Sequence, residues 1–114
     1  MFDNYGRCLF NGIIMNMHFD KLTNTLYVDI DTEEVSNSIH LSDSIIIEKG
    51  IDTNSLTGFR CLQFEEMDIE KEFSEIQDNF NGLKRRSITP CDITTLRILI
   101  TMIIKNWFVL KELL

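Results

Sequence analysis

Thr25-Leu26-Tyr27-Val28-Asp29-Ile30-Asp31 is the run whose reading decides the fold. Leu26, Val28 and Ile30 alternate with Tyr27, Asp29 and Asp31, and in a strand successive side chains leave opposite faces of the sheet. The run therefore predicts a strand with one face in the core and one in water. On its N-terminal side, Tyr5 to Phe10 and Ile13 to Phe19 flank Asn11-Gly12, a pair that tolerates the positive φ angles of a type I′ turn. That reads as a β-hairpin. On its C-terminal side, Ser36 to Leu41 and Ser44 to Glu48 are short strand patterns, and the polar turn Asp52-Thr53-Asn54-Ser55 precedes a last run from Leu56 to Phe64. Together they predict an antiparallel β-meander of five or six strands.

Beyond Phe64 the apolar period lengthens. Ile69, Phe73, Ile76, Phe80 and Leu83 recur at spacings of four and three opposite Glu70, Lys71, Glu75 and Asp78, predicting an amphipathic helix within residues 67–83. Gly82 suits the left-handed position just past its end. The second helix has a strong start: Thr89 as N-cap, Pro90 at the first helical position, Asp92 as capping-box acid, and Ile88 stapled onto Ile93. From there a helix of residues 89–114 would be ~37 Å long at 1.5 Å per residue. Ile93, Leu96, Ile100, Ile103, Trp107, Leu110 and Leu114 form its seam, and Ile98, Leu99, Met102, Ile104, Phe108, Val109 and Leu113 widen the apolar surface beyond one face. Thr94, Arg97, Thr101, Lys105, Asn106 and Lys111 interrupt it too often for a membrane span of ~20 predominantly apolar residues. The expectation is one α+β domain over 1–114, sheet first and helices second, with the last helix long and strongly apolar.

Composition bounds the function. The chain has 114 residues, 44% hydrophobic and 25% charged, enough for one core and too few for an enzyme with separate cofactor and substrate domains. Eighteen acidic against eleven basic residues leave a net charge of −7, which disfavours binding to phosphate backbones. Met1-Phe2-Asp3-Asn4 lacks the basic start of a secretory signal, so a cytoplasmic location is expected. Cys8, Cys61 and Cys91 form no CxxC pair and read as reduced, buried thiols.

The stretch from His18 to Phe64 carries a further pattern: Phe19-Asp20, a polar turn, then Thr25-Leu26-Tyr27-Val28-Asp29-Ile30; next Ser44-Ile45-Ile46-Ile47-Glu48; last Gly58-Phe59-Arg60-Cys61-Leu62. It resembles a short bacterial and archaeal module, the domain of unknown function family 2283. The resemblance implies a small β-meander without established activity, and an adaptor or neutralising role through partners similar to small toxins. Arg60 stands where the family usually has an acid, and Asp52-Thr53-Asn54-Ser55 replaces a tighter Asp-Gly turn. The leading hairpin and both helices lie outside the match.

Three groups of residues bear on chemistry. Asp29, Asp31, Glu33 and Glu34, with Asp20 across the turn, could offer oxygens to a hard divalent ion, but a bare Asp-x-Asp without a recognised metal loop is more simply a solvated strand face. His18 and His40 are the only histidines, and no serine or cysteine sits in a nucleophile motif, which leaves only a meeting of Cys61 with either histidine in the fold as a route to such chemistry. Lys84-Arg85-Arg86 could grip a phosphate or an acidic partner, but three charges in a chain of net −7 more simply complement the negative end of the first helix. No metal or cofactor is called for. The sequence thus points to a non-enzymatic, adaptor- or antitoxin-like interaction or oligomerisation module. A homo-oligomer or protein partner would be held through Leu96, Ile100, Ile103, Trp107, Phe108, Leu110 and Leu114. The alternatives are an acidic inhibitor, phage-type or mimicking nucleic acid, of a basic-grooved partner, and a small metal-dependent hydrolase using Asp29 and Asp31.

Overall fold

The computed structural model describes residues 7–10, 13–30 and 34–114. Six antiparallel strands form one sheet: β1 (Arg7–Phe10), β2 (Ile13–Asp20), β3 (Thr25–Asp29), β4 (Ser36–His40), β5 (Ile45–Gly50) and β6 (Leu56–Cys61). The expected α+β class, strands first and helices second, is what the chain adopts. Phe10 pairs with Ile13, as a two-residue connection requires, although Asn11 and Gly12 themselves lie outside the described residues.

The spatial order is β1-β2-β3-β6-β5-β4. Two three-stranded meanders are therefore joined where β3 pairs with β6, and the link from β3 to β4 carries the chain to the far edge. The deciding run occupies a central strand: Leu26 lies opposite Phe19 and Cys61, and Val28 opposite Met17 and Phe59. All six of these side chains are buried on one face. Tyr27 and Asp29 point to the other, as the alternation requires.

The helices cover the buried face. After a 3₁₀ turn at Phe64–Glu66 come α1 (Ile69–Asp78), α2 (Phe80–Lys84), α3 (Pro90–Lys105) and α4 (Trp107–Leu113). Phe73, Ile76, Leu83, Ile88, Leu96, Leu99, Ile100, Ile103 and Leu110 join the strand residues in one core. The α3 start is built as expected: the Thr89 hydroxyl accepts from the Asp92 N–H at 3.1 Å and the Asp92 carboxylate accepts from the Thr89 N–H at 2.9 Å. Asp68, not anticipated, caps α1 by accepting from the Lys71 N–H.

Both expected helices are broken, and by the same device. Asn79 and Asn106 sit at φ −102°, ψ 14° and φ −106°, ψ 7°, and each side-chain amide donates to the carbonyl four residues back, on Glu75 and Met102. Asparagine competes with the helical backbone for its own hydrogen bonds, which is why it ends helices. At Asn106 the chain bends by 78°. The single 89–114 helix is thus corrected to two, since the bend carries Leu110 back into the core. Gly82 lies inside α2, not past a helix end, and the left-handed residue is Ser87 at φ 66°. Among the described residues no single helix is long and apolar enough to cross a membrane; only α3 and α4 taken together as a bent pair reach that length.

Candidate interaction surface

Most of the expected interface is core. Leu96, Ile100 and Ile103 are fully buried in their own chain and Leu110 nearly so. Their apolar area is consumed by the sheet, because α3 lies on the buried face and presents this seam to it. Trp107 packs edge-to-face on Phe19 and Phe64, with ring centroids 4.9 and 4.8 Å away. Its indole N–H donates to Glu65, which also accepts from Lys111 at 2.6 Å. These two donors hold the Glu65 carboxyl below its usual range. Leu114 is partly buried against the same core. Of the seven, Phe108 alone stands out in solvent, at 90% exposure.

On α3 and α4 the outward apolar residues are Phe108 and three outside the seven, Ile98, Ile104 and Val109. Beside them, between α1 and α3, runs a groove of ≈ 610 Å³. Phe73, Ile93, Ile98 and Met102 supply its apolar floor and walls, while Arg97 and Lys105 supply positive charge. Arg97 is held in place by Glu70, to which it donates twice at 2.8 and 2.9 Å, and it lies 5.4 Å from the Phe73 ring centroid. Among the described residues no carboxylate lines the groove directly; Glu70 stands at its edge and pairs with Arg97, which leaves Lys105 as the lining cation without a carboxylate partner there. Helical periodicity marked these residues as apolar surplus; which of them would remain uncovered depended on the bend at Asn106.

The chemical groups considered from sequence are dispersed. Asp29 is exposed on the open face of the sheet, and Asp31 and Glu33 lie outside the described residues. Asp20 accepts from the Leu22 and Thr23 N–H groups and so closes the β2–β3 turn. Glu34 accepts from the Asp52 and Thr53 N–H groups and from the Thr53 hydroxyl, which lowers its pKa, the Thr53 bonds foremost. Among the described residues no three His, Cys, Asp or Glu side chains gather as a metal would need. His18 lies on the open face against Tyr27, 6.0 Å between centroids. His40 is opposite Ile46, whereas Cys61 is opposite Ile45, so His40 and Cys61 occupy opposite faces. Burial, with the Glu72 charge adding to it, pushes the Cys61 thiol far up, which keeps it protonated. Cys91 is exposed, contrary to the expectation of buried thiols. Lys84, Arg85 and Arg86 are all exposed, with Lys84 in the last turn of α2.

Two buried charges escaped the sequence reading, and both tie layers together. Lys49, 3% exposed, reaches from β5 to the α3 cap, donating to Ser87 O at 2.9 Å and Asp92 Oδ2 at 2.6 Å. Glu72 on α1 accepts from the Ser42 hydroxyl and the Ser44 N–H in the β4–β5 turn. A lone Lys or Glu in a strand or helix pattern carries no sign that it will be buried.

No family model, no curated protein and no solved structure matches this chain.

Proposed function

We propose that this chain is a non-enzymatic protein-interaction module that receives an apolar helical segment in the groove between α1 and α3. One observation carries the reading: an open groove in which the apolar side chains Phe73, Ile93, Ile98 and Met102 stand among polar ones, with Lys105 and the Glu70-paired Arg97 at its rim, on a chain of net charge −7. Amphipathic helices bind such grooves through anchors at helical spacing, and flanking acids would meet the basic rim. Ile98 in the groove and Ile104, Phe108 and Val109 outside it are exposed apolar side chains of the same two helices.

The test is capture by the tagged full chain in its native cell, followed by mass spectrometry, with Ile98→Glu as comparison. Ile98 is half exposed, so the substitution spares the core while placing a charge in the groove. A captured protein, including an untagged copy of the chain itself, should be lost with Ile98→Glu. A captured set that does not change with this substitution removes the groove from the function.

A further inference from the structure

Resting on that reading, we infer that the occupant of the groove is α4 of a second copy of this chain, the two copies exchanging α4 helices about a two-fold axis. The outward face of α4 has the matching chemistry. Phe108 is 90% and Val109 61% exposed, and Glu112, also exposed, follows them at helical spacings of four and three. One face therefore presents two apolar side chains and a carboxylate, against a groove with apolar residues and the cation Lys105, Arg97 being already paired with Glu70. Lys111, the basic residue of α4, is bonded to Glu65 in its own chain.

Dimensions agree. The groove runs along α3 from Ile93 to Asn106, ~20 Å at 1.5 Å per residue, and the seven residues of α4 span ~10 Å. The bend of 78° at Asn106 prevents α4 from following α3, and no α4 residue lines its own groove. Knob and hole thus belong to one surface but cannot satisfy each other within one chain. Reciprocal exchange satisfies both at once and closes the assembly at two copies.

Sedimentation equilibrium on the full chain tests this, with Phe108→Ser and Ile98→Glu beside the wild type. Both positions are on the surface, and circular dichroism verifies that each variant is folded. The wild type should be a dimer, and Phe108→Ser should weaken it about thirtyfold or more, the effect of removing a central aromatic anchor. A benzophenone amino acid at position 108, in a mixture of light and isotopically heavy chains, should crosslink light to heavy chain within residues 93–106. A monomeric wild type, or crosslinks confined to one chain, overturns the exchange. If the wild type is monomeric while Ile98→Glu still abolishes capture of a different protein, the groove reading stands and only the second-copy assignment fails. If Ile98→Glu changes neither association nor capture, both fail.

Discussion

Lys49 and Asp92 form the one closely paired buried ion contact among the described residues, 2.6 Å apart with side chains 4% and 15% exposed. Its two partners are not equivalent. Asp92 keeps the Thr89 N–H and some water when the lysine is removed, whereas Lys49 without Asp92 is an ammonium left in the core with one carbonyl. Asp92→Ala should therefore cost about 3–5 kcal/mol, the usual result of stranding a buried charge. Lys49→Met, which removes the charge and keeps an apolar stem, should cost about 1–2 kcal/mol, the loss of two hydrogen bonds whose acceptors keep other partners or water. Urea unfolding midpoints check the order; equal losses would mean that the lysine is hydrated. Gly58 is constrained for another reason. A β-carbon there would lie 2.7 Å from Val28 O in the adjoining strand, so Gly58→Ala should destabilise by about 1–3 kcal/mol through backbone crowding.

At the scale of elements, the helix ends carry the instructive differences. Gly82 sits inside α2 with open space where a β-carbon would project. Gly82→Ala should raise stability by about 0.5–1 kcal/mol, since alanine loses less entropy than glycine in a helix. A glycine in the left-handed position that the sequence suggested would make the same change destabilising, so the sign of the melting shift separates the two placements. The strands were legible because alternation and turn residues are local, and the α3 start because Thr89, Pro90 and Asp92 act within one turn. The breaks at Asn79 and Asn106 were not, because an asparagine in a helical pattern ends the helix only when packing rewards the bend. Here the reward is Trp107 against Phe19 and Phe64 and the Glu65 contacts with Trp107 and Lys111. The lowered Glu65 pKa gives this docking a pH signature. A carboxylate whose folded pKa lies below its ordinary 4.5 stabilises fully above that value, and the contribution disappears as pH falls through the folded pKa. Wild type should thus melt above Glu65→Gln at neutral pH, with the gap closing in acid. A gap that persists at the lowest pH would mean that the carboxylate charge is not what holds α4.

For the whole molecule, charge and apolar surface make opposite demands on association. Each copy carries −7, so two copies repel at long range, and the groove contact must overcome that repulsion. Salt screens the long-range term, with a Debye length of about 10 Å at 0.1 M, but leaves apolar contact between Phe108, Val109 and the groove intact. The exposed attraction of Glu112 for the basic rim is screened as well, yet such pairs contribute about 1 kcal/mol or less. Repulsion dominates the salt response, and the dimer should tighten as sodium chloride rises from about 0.05 to about 0.5 M. It should also tighten as pH falls toward the sequence pI of ≈ 4.7, where the net charge vanishes. Phe108→Ser serves as control, since nonspecific association near the pI would persist in it. An acidic inhibitor that mimics nucleic acid has the reverse dependence: its complex with a basic groove rests on attraction between net charges, and salt weakens it. Sedimentation across a salt series therefore reads out which feature governs association, because apolar exchange and charge mimicry move the dissociation constant in opposite directions.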